Sequence, residues 1–195
     1  MADGTLKVGT ITTSSGSGTI TLGQSGETIT IPSGVSQSGL GITEADMWVT
    51  NADQTLSAST ATLVSGNWQR FTAVTDKIGT GMSESSGVWT FPSTGIWLIN
   101  AKSDMYSDGG AIDFGNMSIY TTTDNSSYTE RTNSFNSTST SGHYLSTNQF
   151  ITFDVTSTST HKIKLYAYSR DVTGYLRGNS SKAETSVYFL RLGDT

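Results

Sequence analysis

Gly87-Val88-Trp89-Thr90-Phe91-Pro92-Ser93-Thr94-Gly95-Ile96-Trp97-Leu98-Ile99 is the most informative stretch of the chain. It reads as two strands meeting at a corner. Pro92 fixes its own φ and ends the first strand, while Gly95 lets the backbone turn into the second. Trp89 and Trp97 flank that corner.

Further strands lie on either side of it. Upstream, Met47-Trp48-Val49 opens a first strand and Asn67-Trp68-Gln69-Arg70-Phe71 is a second candidate. Downstream, Ile151, Phe153 and Val155 alternate with Thr152 and Asp154, the period of a strand with one face in a core. Over 162–168, Ile163, Leu165 and Ala167 share one face, and Lys162, Lys164, Tyr166 and Tyr168 share the other. The closing run Thr185-Ser186-Val187-Tyr188-Phe189-Leu190-Arg191-Leu192-Gly193 is apolar on both faces, which places it in the middle of a sheet or at a subunit interface. No useful window has helical periodicity. Eight to ten strands are expected in about 150 residues, an antiparallel sandwich and most simply a jelly roll.

Composition agrees with an all-β chain. Thr (33) and Ser (30) supply 63 of the 195 residues, so polarity is carried by hydroxyls, and Thr suits a pleated surface. The charged share of 14% argues against disorder driven by charge. Net charge is −5, with 11 scattered Lys and Arg, so there is no basic patch for nucleic acid. No apolar run approaches the roughly 20 residues that span a bilayer, and the amino terminus has no charged-then-apolar signal pattern. A soluble chain with no visible export signal and no membrane insertion is expected. Zero Cys leaves packing, hydrogen bonding or association to hold the fold.

The texture changes near residue 42, so residues 1–41 are read as an arm and 42–195 as a head. Gly9-Thr10-Ile11-Thr12, Gly18-Thr19-Ile20-Thr21 and Glu27-Thr28-Ile29-Thr30 place Ile11, Ile20 and Ile29 nine residues apart. Three short strands joined by tight turns are expected. One copy of such a segment buries almost nothing, so it needs a partner to be ordered: its symmetry mates or another protein's surface. The plainer alternative is a Ser/Gly linker, which has no need of isoleucines in register.

The corner motif resembles the signature of the complement component 1q and tumour necrosis factor jelly-roll family, an aromatic-Thr-x-Pro-x-x-Gly-x-aromatic run joining two strands. Met117-Ser118-Ile119-Tyr120 with the polar run after it is similar to that family's next strand and loop. Ile151–Val155 and Ile163–Tyr168 resemble its late hairpin. Ser186-Val187-Tyr188-Phe189-Leu190-Arg191-Leu192 resembles its closing Ser-x-Phe-x-Gly-apolar strand, with the Gly replaced. The resemblance spans roughly Ile42 to Gly193 and implies a homotrimer with aromatic-lined inner sheets facing one axis. The arm, by composition, resembles short accessory proteins and fibres of tailed bacteriophages, which implies a virion location. Trp89, Trp97, Tyr166, Tyr168, Tyr188 and Phe189 are more aromatics than one thin core should need, so they are assigned to the trimer interface or the core.

Catalytic machinery is weakly signalled, and an enzyme is not expected. His143 and His161 fall on or near polar loops, where a lone histidine is more often inert than a base. There is no Gly-x-Ser-x-Gly elbow, and without Cys there is no thiol mechanism. Asp104, Asp108 and Asp113 surround a Gly turn, yet their spacing lacks the alternation and closing Glu of an EF-hand, so an acidic loop is the simpler reading and no metal or cofactor is assigned. The polar run Thr121 to Thr147 is read as a long surface loop, with Tyr128, Phe135 and Tyr144 as candidate ligand residues or as ring anchors packed on the sheet. The functional expectation is a trimeric virion structural protein, a capsid decoration protein or short fibre, whose arm (Ile11, Ile20, Ile29) docks on the major capsid protein or tail. The alternative is a receptor-binding module that recognises a host-surface glycan or protein.

Overall fold

Gly95 has φ +138°, and a Cβ there would lie 2.5 Å from the Gly193 carbonyl oxygen and 2.6 Å from Arg191 Nε, so the corner needs glycine on both counts. The computed structural model describes residues 10–12, 18–31, 41–72 and 77–195. The chain divides into two units, Met1–Ser38 and Gly39–Thr195.

The second unit is all-β. Its strands are β1 Ala45–Thr50, β2 Gln54–Leu56, β3 Thr62–Leu63, β4 Trp68–Arg70, β5 Ser83–Ser85, β6 Val88–Thr90, β7 Gly95–Tyr106, β8 Gly115–Thr122, β9 Thr129–Asn136, β10 Tyr144–Val155, β11 Lys162–Ser169, β12 Gly174–Leu176 and β13 Ser186–Gly193. Among the described residues there are thirteen strands rather than eight to ten, because six segments of two or three residues pair along parts of the sheets that the longer strands leave uncovered. There is no helix among them.

Every ladder between these strands is antiparallel, and they form two sheets. In the first, β10 runs along one edge of β7 from Gly95 to Tyr106, while the other edge takes β13 and then β12. β1 and β4 extend this sheet beyond β13, and β2 extends it beyond β12. In the second sheet the order is β5, β6, β11, β8, β9, with β3 also pairing β11. β13 thus lies between β1 and β7, the central place its two apolar faces called for.

The core lies between the sheets, built from inward positions that alternate along each strand. β7 alternates without a break from Gly95 to Tyr106, sending Trp97, Ile99, Ala101 and Met105 inward. Opposite them are Met117 and Ile119 of β8 and Ile163, Leu165 and Ala167 of β11. Trp89, Trp97 and Phe189 are fully buried here. Trp89 lies 5.0 Å from Trp48, 5.2 Å from Trp68 and 5.1 Å from Phe189 between ring centroids. Phe91 packs 5.2 Å from Trp97 beneath the corner. One chain therefore absorbs these three aromatics, each contributing about 1.5–3 kcal/mol by leaving water.

A buried carboxylate ties the end of this core together. Asp46 Oδ1 and Oδ2 accept from Arg70 Nε at 2.9 Å and Nη2 at 3.0 Å, and Oδ2 also accepts from Trp48 Nε1 and the Met82 amide. Glu44 beside it accepts from the amides of Thr80 and Gly81. These bonds replace the solvation that burial removes.

In the single chain the arm's expected strands are not formed over the described residues, and one reading of the head is corrected. The arm's Thr-Ile-Thr units form no strand over 10–12 and 18–31; Gly9 of the first unit lies outside the described residues. Ile11, Ile20 and Ile29 are 53%, 41% and 60% exposed, because a strand needs a ladder partner and this segment has none among the described residues. What forms is a turn at Gln24–Glu27, closed by the Glu27 amide on the Gln24 carbonyl at 3.0 Å, with Gly23 and Gly26 at positive φ. In the head, the run Thr121 to Thr147 is not one loop. It contains the end of β8, all of β9 and the start of β10; β9 is an exposed edge strand with no apolar alternation in its sequence.

Candidate functional site

Sheet register decides which outward side chains meet. On the outer face of the first sheet, one row runs Met47, Tyr188, Asn100, Phe150 and the next runs Ala45, Leu190, Leu98, Thr152. Met47, Leu98, Tyr188 and Leu190 are half-buried, and Phe150 is 69% exposed. Tyr188 thus belongs to this face and not to the core. The far end of the face is polar: Lys102 pairs with Asp104 at 2.8 Å, and Asp104 accepts from Ser146 Oγ. Beyond that pair, Tyr106 stacks on Tyr175 at 5.1 Å and meets Tyr144 at 5.6 Å, with the Arg177 guanidinium 4.8 Å from the Tyr144 ring.

The outer face of the second sheet is of another kind. Period-two alternation turns Asn116, Ser118 and Tyr120 of β8 outward beside Tyr168, Tyr166 and Lys164 of β11. Two ring clusters result. Tyr120 and Tyr166 lie 4.8 Å apart at 57°, while Phe114 contacts Phe135 at 5.1 Å and Tyr168 at 6.0 Å. Between them is a groove of about 190 Å³ lined by these tyrosines, Phe114, Asn116, Ser118 and Glu130.

The groove carries a connected polar network. Asn116 Nδ2 donates to Ser118 Oγ at 3.3 Å, and Ser118 Oγ donates to Glu130 Oε1 at 2.7 Å. Asn133 Nδ2 donates to the same oxygen at 2.9 Å, and the Tyr120 hydroxyl reaches Oε2 at 3.4 Å. The Ser118 and Asn133 bonds, helped by Tyr120 and opposed by desolvation, hold the Glu130 carboxyl below its ordinary range, so it stays ionised. Burial and the Glu130 charge push the Tyr120 phenol up, which keeps it a donor. At the rim the Lys164 ammonium lies 3.9 Å from the Tyr128 ring centre, and burial raises the Tyr128 phenol as well.

The structure separates the three aromatics first grouped on one loop. On the second sheet Tyr128 lies under Lys164 and Phe135 packs on Phe114, while Tyr144 sits on the first. Tyr166 and Tyr168 are not core residues; they face outward on β11 and line the groove. Ser118, Tyr120, Phe114 and Glu130 were not singled out as site residues, although alternation in Met117-Ser118-Ile119-Tyr120 already set Ser118 and Tyr120 on one face. His161 lies on the loop between β10 and β11 but is only 8% exposed: its ring lies 5.6 Å from Phe153 and its nitrogens meet the hydroxyls of Thr156 and Thr160. Asp104 is committed to Lys102 and Ser146, and among the described residues no three His, Asp or Glu side chains converge to hold a metal.

No protein-family model matches the chain, and no curated protein sequence does. Solved structures do. Murine APRIL at pH 8.0 superposes with a TM-score of 0.55 at 13% identity, covering 76% of this chain and 98% of its own. The Eiger TNF protein from S. frugiperda gives 0.59 at 11% identity, covering 77% and 93%. PRD1 vertex protein P5 gives 0.49 at 13% identity over 78% and 99%, a score at which nothing is transferred to this chain. The head of this protein therefore has the jelly-roll sandwich fold of tumour necrosis factor-like proteins.

Proposed function

We propose that the chain is a non-enzymatic structural protein of a virion, a homotrimer of jelly-roll heads whose arms dock on the particle as a capsid decoration protein or short fibre. The observation that carries this reading is the outer face of the first sheet. There Met47, Leu98, Tyr188, Leu190 and Phe150 form an apolar surface on a head whose own core is already filled. Apolar surface outside a complete core is what an obligate interface between copies is made from. The family resemblance supplies three as the copy number. The arm supports docking: its isoleucines face solvent on a single chain, and three symmetric arms engaging one particle would multiply weak contacts. The major capsid protein or tail is the partner this reading requires.

Sedimentation of the full chain at micromolar concentration tests the core of the proposal. A trimer mass is expected, and Leu98→Asp with Leu190→Asp should reduce it to the monomer while the head still unfolds cooperatively. A wild-type monomer would refute it. Particle reconstruction then separates capsid from tail.

A further inference from the structure

We infer that the groove between the Tyr120–Tyr166 and Phe114–Phe135–Tyr168 ring clusters is a binding site for a neutral saccharide, one sugar ring at a time. The inference stands whether or not the chain belongs to a virion.

Size comes first. A volume of about 190 Å³ lies below the roughly 300–1,000 Å³ of pockets that take drug-sized ligands, so the groove suits a single small ring rather than a peptide. Surface chemistry comes second. Tyr166 and Tyr120 offer ring area that is rigid and already packed, and a sugar presents a face of C–H groups to such area with little ordering cost. Beside the rings, the Asn116, Ser118, Glu130 and Asn133 chain offers an oriented carboxylate and amides. Among the described residues Glu130 Oε2 has only the 3.4 Å contact from Tyr120, which leaves it able to accept from a hydroxyl.

Charge decides between ligand classes. An anion would meet Glu130, held ionised by its donors. A cation could in principle use tyrosines and a carboxylate together, but Lys164 is directly opposite Tyr120 in the ladder, with its ammonium already over Tyr128. The Lys164 ammonium opposes a second positive charge there. A neutral ligand with many hydroxyls escapes both objections.

Saturation-transfer NMR on the full-length chain tests this, with galactose, glucose and N-acetylglucosamine each added alone and tetramethylammonium as the cationic probe. Transfer onto the ring protons of at least one sugar is expected. Tyr166→Ala should weaken that binding about tenfold, the value of one lost aromatic platform. Glu130→Gln, an exposed change that spares the rings, should also weaken it, and Tyr144→Ala on the other sheet should leave it intact. Unfolding curves for each variant establish that the head is folded. Absence of transfer to all three sugars, binding unaffected by both Tyr166→Ala and Glu130→Gln, or transfer only to tetramethylammonium would overturn the assignment.

Discussion

The arm and the head use the same local pattern with opposite results. Thr19-Ile20-Thr21 in the arm and Ile151-Thr152-Phe153 in the head both alternate a branched apolar residue with threonine. In the head, Ile151 is paired with Ile99, which in turn is paired with Phe189, and a ladder forms. In the arm, Ile20 is 41% exposed and no ladder forms in the described residues. Alternation assigns faces, but a strand belongs to a pair of segments. Hydrogen bonds left open by one must be met by another. The head carries its partners within one chain, while the described residues of the arm pair with none.

The contrast breaks most sharply at Asp46. Asp46→Ala would leave the Arg70 guanidinium, the Trp48 indole N–H and the Met82 amide without their shared acceptor. A loss of about 3–5 kcal/mol is expected from removing one partner of a buried pair, toward the lower end because Arg70 is partly exposed. Thermal unfolding of the head measures it. A loss well below this range would mean the ion pair adds little to cohesion.

Gly95→Val should cost less, on the order of 1–3 kcal/mol, since it forces a branched residue into positive φ against the Gly193 carbonyl. Denaturant titration reads it, and Gly109→Val, at an open position without positive φ, serves as the comparison.

Arm changes should hardly register in the head. Ile11→Ser, Ile20→Ser and Ile29→Ser combined, or removal of residues 1–40, are expected to shift head stability by no more than about 0.5 kcal/mol. Co-sedimentation with particles lacking the protein should fall partially for Ile20→Ser alone and be lost for the triple change. Undiminished binding would make the arm a linker.

The smallest effect concerns acid. Because Glu130 titrates below its ordinary value in the folded head, its stabilisation is present above pH 4.5 and is lost as pH falls through the lowered value. Glu130→Gln should flatten that part of the acid-stability profile relative to wild type. The difference should be under about 0.3 kcal/mol, because the residue is exposed. Asp124, held low by the Ser127 and Ser126 amides and the Thr122 hydroxyl, titrates in both proteins and cancels in the difference.

Residue order was enough to read the Pro92–Gly95 corner, the β-rich head and the inward and outward sets on β10 and β11. Each of these follows from local geometry, a two-residue period or a residue with restricted φ. Partnership was not legible. Tyr120 meets Tyr166 only because β8 pairs with β11 in one register, and Asp46 meets Arg70 and Met82 only because the chain returns there. β9 carries no alternation, because an exposed edge strand need not bury a face. Covalent sequence sets which way each side chain points, whereas the neighbour it finds depends on long-range pairing, where loop-closure entropy and whole-sheet hydrogen bonding decide together.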